Sequence, residues 1–300
     1  VGGAHATSLP LETMREFRSF NFLIKGEGEV AIVELAHYLE GKGSDISKIR
    51  GLVYRNECDE IKMNPDREWN YELDKLPFPA WDMYTRIRSA ALPVLASRGC
   101  PFNCLFCMRV LGNKQRRRSP ESVVNEMEWG LNTFSPIEMY FEDEIFGMDK
   151  DWANKMYNEM QSRGLHKRIK WTANLRVNFV TEDFLTKIKD SGCYSVGIGV
   201  ETGNEKMLKA IKKGITLKQV EKVVKLCKKI KLDVRTYFIL GHPNETFKTA
   251  IDTIKFAARL RPNYTVFGIM VPYPKTGIAK MAERMEGGYK LLSNDWSDFD

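Results

Sequence analysis

Between residues 93 and 271, short apolar runs alternate six times with stretches of helical period, and this alternation constrains the fold more than any other feature. The spacing predicts strands at 94–97, 137–141, 170–173, 194–200, 232–240 and 266–271. Between them it predicts helices at 120–131, 150–163 and 181–191, a helical pair at 204–211 and 217–230, and a last helix at 245–260. Ser119 and Thr181 stand where helix N-caps belong. Strands separated by helices run parallel, because a parallel pair needs a long crossover, and such crossovers are right-handed. Six units are too few to close like an eight-stranded barrel, so the expected fold is α/β, an open partial (β/α)6 barrel. Ligands of such sheets lie at the C-terminal ends of the strands. The chemistry is therefore expected just after each strand.

The polar motifs fall there. After the first strand come Cys100, Cys104 and Cys107, three of the six cysteines, spaced C-x3-C-x2-C. Clustered thiolates hold soft metals or iron–sulfur centres. Three of them can hold three irons of a four-iron cubane and leave the fourth iron open to a small molecule. Taken alone, Cys104 and Cys107 also suit a redox pair or half of a zinc site. Zinc needs a fourth ligand, and His5, His37, His166 and His242 form no paired motif. Cys58, Cys193 and Cys227 occur singly and fit small buried apolar side chains. Glu142-Asp143-Glu144 follows the second strand, where a carboxylate could take a ligand's ammonium group or simply cap the next helix. Asn174 and Arg176 follow the third, and an arginine there can grip a carboxylate bidentately or form a structural ion pair. Glu201 and Thr202 follow the fourth, beside Gly197, Gly199 and Gly203. A carboxylate at the end of an apolar run is costly to bury unless it is paired. Gly241 and Glu245 follow the fifth strand, which ends in Ile239-Leu240, and Tyr273 the sixth, facing substrate or packed.

With 300 residues and 43% apolar content the chain can bury a sizeable core. No run approaches the length of a membrane span, and the first residues lack the basic and apolar parts of a signal peptide. Clustered, unpaired cysteines fit a reducing cytoplasm. The net charge of +7 is local: residues 205–235 carry eleven Lys and Arg against three acidic residues, leaving the remainder close to neutral. There Val220, Val223, Val224, Cys227 and Ile230 mark one helical face and Lys218, Lys222, Lys225 and Lys229 the other, which reads as a solvated surface rather than a nucleic-acid groove. A second basic cluster, 114–118, follows the cysteine loop and could meet an acidic ligand or only solvent.

Ahead of the alternating region lie Val1-Gly2-Gly3, the turn Gly26-Glu27-Gly28-Glu29 opening an amphipathic stretch at 30–39, a β-rich segment at 44–75, and a stiff proline-interrupted linker at 76–81. Residues 49–56 and the turn residues around Asn64-Pro65-Asp66 suggest a hairpin.

The C-x3-C-x2-C spacing with Phe106 before the third cysteine resembles the radical S-adenosylmethionine (SAM) enzymes, over about residues 92–289. Phe141-Glu142-Asp143-Glu144-Ile145-Phe146, Gly199-Val200-Glu201-Thr202-Gly203, Ile239 to Glu245 and Pro272 to Thr276 resemble further motifs of that family. The resemblance implies a [4Fe–4S] cluster on Cys100, Cys104 and Cys107, and SAM held by Phe106, Asp143, Glu144, Asn174, Arg176, Glu201, Thr202, Gly241 and Glu245, with Tyr273 toward the substrate. Glu144, Tyr237, Asn244 and Lys275 depart from the usual residues of those motifs. Gly2, Gly3, Thr7 and Pro10, with the Gly-Glu-Gly-Glu turn, resemble the end of the cobalamin-binding domain of one large subgroup.

On that reading residues 1–43 are a remnant of a doubly wound cobalamin domain lying mostly outside this sequence, 44–91 a linker with a hairpin, 92–289 the catalytic domain and 290–300 the start of an extension. The subgroup's usual reaction is cobalamin-dependent methyl transfer. A small-molecule or lipid substrate and an electron donor such as flavodoxin or ferredoxin are then expected partners. A rearranging or methylthiolating enzyme of the same family, and a zinc-stabilised nucleic-acid-binding protein, are the alternatives.

Overall fold

The structure is a computed structural model that describes residues 1–43, 45–83, 91–290 and 292–293. It begins with α1 (Ala4–Ser8), α2 (Pro10–Glu16), β1 (Phe22–Ile24) and α3 (Glu29–Leu39), followed by β2 (Leu52–Arg55) and β3 (Ile61–Met63). The three strands form one antiparallel sheet in the order β1-β2-β3, so residues on both sides of position 44 share it. The hairpin turns at 56–60 rather than at Asn64-Pro65-Asp66. Asn56 makes the turn, its side-chain oxygen accepting from the amides of Cys58 and Glu60. Asn64 is buried instead, donating to the carbonyls of Ile46 and Ile49. Cys58 is exposed in this turn and not a core residue; Cys193 and Cys227 are buried.

The larger part contains β4 (Ala91–Val94), β5 (Ser97–Arg98), β6 (Arg116–Arg117), α4 (Pro120–Phe134), β7 (Glu138–Phe141), α5 (Lys150–Ser162), β8 (Trp171–Leu175) and α6 (Glu182–Asp190). It continues with β9 (Cys193–Glu201), α7 (Glu205–Ala210), α8 (Leu217–Lys229), β10 (Asp233–Leu240), α9 (Phe247–Leu260), β11 (Tyr264–Ile269) and α10 (Gly277–Glu283). Six strands form one parallel sheet in the order β4-β7-β8-β9-β10-β11. Each new strand joins on the same side, and β4 and β11 do not pair with each other, giving the expected open, partial barrel.

The first barrel strand lies at 91–94, not 94–97. Pro93 removes an N–H, which an edge strand such as β4 tolerates, while Leu92 and Val94 bury against the helices. Ser97 and Arg98 instead pair with Arg117 and Arg116 in the β5–β6 ribbon, the two strands that flank the cysteine loop. Ser119 and Thr181 cap α4 and α6 as expected, accepting from the amides of Ser122 and Phe184. Helix α9 starts two residues late, because Thr246 forms a capping box with Thr249 and leaves Glu245 outside.

Alternation along the strands divides the residues between two surfaces. Met139, Phe141, Trp171, Val196, Ile198, Val234 and Phe238 bury against α4–α9 in a single core. The intervening Tyr140, Glu142, Thr172, Asn174, Gly197 and Tyr237 line a cavity of about 490 Å³ inside the curve of the sheet. The lysines of α8 stand exposed over its buried valines, as an amphipathic helix requires. Edge strand β11 is exposed along its length. Among the described residues, no helix is long and apolar enough to cross a membrane.

Candidate active site

The loop between β5 and β6 brings the cysteines to the C-terminal end of the sheet. Gly99 starts it at φ +88°, where a β-carbon would fall on the Lys114 carbonyl and within 2.9 Å of that of Leu111. The Cys100 amide donates to Gly112 O (3.2 Å) and that of Leu105 to Ile211 O (3.0 Å), while Leu105 O accepts from Ile278 N (3.2 Å). The loop is thus tied to the ends of α7 and α10.

The sulfurs are neighbours. The interaction between the Cys104 and Cys107 side chains holds Cys104 below the ordinary thiol range and raises Cys107; Lys213 and Arg176 also favour thiolate at Cys104. Burial raises Cys100, whose sulfur also feels Cys104. Arg176 is buried, its Nη1 3.9 Å from Cys104 Sγ and its guanidinium 3.8 Å from the centre of the Phe102 ring. Its Nη2 donates to the Lys213 carbonyl.

Glu201 ends β9 at φ +70°, buried, with Oε1 2.6 Å from Lys213 Nζ. Its carbonyl lies 3.2 Å from His242 Nε2, which must donate, since a carbonyl only accepts. The His242 ring is 6.4 Å from that of Phe106, and Lys213 Nζ sits 5.8 Å from the same ring. The cysteines, Phe106, Arg176 and Glu201 therefore converge on one mouth. His242, Lys213 and Tyr289, whose hydroxyl donates to Gly241 O (2.8 Å), join them without having been anticipated.

Other expected residues do different work. Asp143 is buried with its carboxylate on Ala96 N (3.0 Å) and the Ser97 hydroxyl, so it pins the chain entering the cysteine loop rather than facing the mouth. Glu144 accepts from Gly99 N at 3.0 Å and holds the next residues. The Thr202 hydroxyl turns away toward Thr253 of α9 (3.0 Å). Asn174 covers Gly197 in the cavity wall. Glu245 accepts from the Gly241 amide, and Tyr273 is exposed.

A carboxylate from the N-terminal part also reaches this loop. Glu27 is buried and accepts from Arg98 (2.8 Å), Arg116 (2.8 Å) and the Asn70 amide (2.9 Å). Arg98 adds a second bridge, to Glu29 at 2.7 Å. Arg116 stacks 5.0 Å from the centre of the Trp69 ring. Both arginines flank the cysteine loop.

A family model for the radical SAM superfamily matches residues 94–257. The chain belongs to the radical SAM superfamily. An uncharacterized methyltransferase of Pyrococcus horikoshii is 34% identical over all of this chain and 65% of its own length. Cytidylyl-2-hydroxyethylphosphonate methyltransferase of Streptomyces wedmorensis is 26% identical over 81% of this chain and 52% of its own. The chain thus spans between half and two-thirds of these relatives. Among solved structures, the radical SAM methyltransferase TsrM of Kitasatospora setae, with cobalamin and a [4Fe–4S] cluster bound, superposes with a TM-score of 0.79 at 21% identity, over 94% of this chain and 57% of that one. The cobalamin-dependent SAM radical enzyme OxsB, with aqua-cobalamin and SAM bound, gives 0.81 at 20% identity, over 98% and 49%. At such identities the likeness is one of fold.

The donor set at the mouth suits radical SAM chemistry. Among the described residues no three His, Cys, Asp or Glu side chains are arranged around a single ion. A cubane seats each thiolate on a different iron, so neighbouring sulfurs that do not converge on one point are the appropriate set. Arg176 Nε, His242 Nδ1 and Glu245 Oε1 are buried without hydrogen-bond partners. Buried polar atoms are rarely left unpaired, and two of these residues, Arg176 and His242, border the mouth, which suits a polar ligand there.

Proposed function

We propose that this chain is the catalytic part of a radical SAM enzyme that reductively cleaves SAM and takes part in cobalamin-dependent methyl transfer to an unactivated carbon of a small-molecule or lipid substrate. The observation that carries the reading is the meeting of Cys104 and Cys107 with Arg176, Lys213 and Glu201 at one end of the barrel. A [4Fe–4S] cluster, when bound, supplies the electron that splits the sulfonium and gives a 5′-deoxyadenosyl radical.

The protein's own part is binding, orientation and exclusion of water. Cys100, Cys104 and Cys107 hold the cluster, with Arg176 and Lys213 stabilising thiolate. The Arg176 guanidinium, flat against Phe102, takes the carboxylate of the methionine part. Glu201 accepts the ribose hydroxyls, and the backbone from Gly241 to Glu245 borders the adenine. Residues 1–43 form the end of a cobalamin domain, 44–91 a linker and 92–289 the catalytic domain; the extension expected at 290–300 lies mostly outside the described residues. Methyltransferase relatives and two cobalamin-bearing structures that superpose on 94% and 98% of the chain, its N-terminal part included, support both readings. A flavodoxin or ferredoxin would deliver the electron.

The test is anaerobic loading with iron and sulfide, followed by incubation with SAM and a low-potential reductant. Formation of 5′-deoxyadenosine is expected; its absence in fully loaded protein would overturn the reading. Cobalamin absorbance of the full-length protein, and S-adenosylhomocysteine released with substrate, test the methyl transfer.

A further inference from the structure

Lys213 stands out because Arg176, Glu201 and Phe106, three of the residues expected at the mouth, are grouped around it. It lies in a tight turn after α7, between Lys212 at φ +54° and Gly214 at φ +67°, so its backbone direction is set by two left-handed residues in a row of three. Its carbonyl accepts from Arg176, its ammonium pairs with Glu201 at 2.6 Å, and the same ammonium stands 5.8 Å from the centre of the Phe106 ring. The two charged side chains are 11% and 8% exposed, far from the solvated condition of the other lysines in this basic region.

The neighbouring strand makes room for the pair. A β-carbon at Gly199 would fall on the Glu201 carboxylate and 2.9 Å from Lys213 Nζ. Glu201 itself occupies the left-handed region, which is uncommon outside glycine and asparagine, and aims its carboxylate back across that strand. A buried ion pair contributes little net stability compared with well-packed apolar residues, so its retention at a mouth of otherwise binding and thiol residues calls for another role.

We infer that Lys213 is a positioning residue of the SAM site: it holds the Glu201 carboxylate for the ribose hydroxyls and supplies the positive charge that eases reduction of the cluster on Cys100, Cys104 and Cys107. The inference rests on the reading of this mouth as a radical SAM site. Its two halves share one cause. The ammonium that pairs with the Glu201 carboxylate also stands 5.8 Å from the ring of Phe106, the residue next to Cys107 in the cysteine loop. A fixed positive charge beside an iron–sulfur centre raises its reduction potential, since reduction adds negative charge there.

The test compares wild type, K213M, K213R, E201Q and the double variant K213M/E201Q, each loaded anaerobically with iron and sulfide. Two readouts need no turnover: affinity for S-adenosylhomocysteine by calorimetry, and the cluster midpoint potential from electron paramagnetic resonance titration without nucleotide. Loss of one charge-assisted contact predicts binding about tenfold weaker or more in K213M, together with a more negative potential. K213R should restore most of both. The double variant leaves no unpaired buried charge, so it should fold as wild type while keeping the more negative potential relative to E201Q alone. A potential in K213M equal to wild type and in the double variant equal to E201Q, or affinity that is unchanged or tighter in K213M, would overturn the inference. A wild type that binds neither cluster nor nucleotide would instead overturn the reading of the site.

Discussion

Asp143 illustrates how a single residue can occupy a motif position and do something else. Burial raises its carboxyl to about 7, against the lowering by its bonds to Ser97 and Ala96. The folded state therefore prefers the protonated form, and the associated stability is complete below the unfolded value of 3.8 and lost as pH rises through about 7. Over that window the loss is on the order of a few kcal/mol. Asp143→Asn keeps an acceptor for Ala96 and removes the titration, so thermal unfolding of the variant should depend less on pH between about 4 and 7. A slope identical to wild type would remove Asp143 as its source. The residues legible in the sequence were those whose chemistry is rare after an apolar run: the cysteines, Arg176 and Glu201. Lys213 was hidden among eleven basic residues, and in the sequence nothing set it apart from the lysines that line the solvated face of α8. His242 and Tyr289 carried no spacing signal, because their partners, Glu201 and Gly241, are distant in sequence and contacted through the backbone.

At the scale of elements, hydrophobic period located the helices to within a few residues, and caps supplied the ends. The first strand was displaced because Pro93 read as its entrance, whereas an edge strand accommodates a proline internally. The β5–β6 ribbon was invisible, being two residues on each side and fixed by side chains rather than by pattern. That ribbon delivers the cysteine loop, and Gly99 is its tightest point. Gly99→Ala adds a methyl where the Lys114 and Leu111 carbonyls already stand, at a φ that alanine resists. Local strain of about 1–3 kcal/mol is expected, discharged by moving the loop rather than the core. Iron bound after anaerobic loading should fall several-fold while the far-ultraviolet circular dichroism stays unchanged. Full iron content in the variant would show that the loop tolerates a different entry.

For the molecule as a whole, the sequence disclosed the parallel winding but not which surfaces stay bare. Val266, Phe267 and Ile269 lie exposed on β11, an edge left unpaired among the described residues and able to template another strand. This chain alone should self-associate at micromolar concentration, and Ile269→Lys should return it toward monomer in sedimentation velocity, with no loss of thermal stability. Equal association in the variant would place the contact elsewhere. The two parts of the chain, by contrast, meet through charge. One carboxylate from the Gly-Glu-Gly-Glu turn pairs with two guanidiniums that bracket the cysteine loop, and removing it would leave Arg116, whose side chain is 2% exposed, buried without its counter-charge. Modules of related enzymes could then be exchanged at this joint only as matched halves. A graft that brought the arginines without their acid would arrive with its cysteine loop already unmoored.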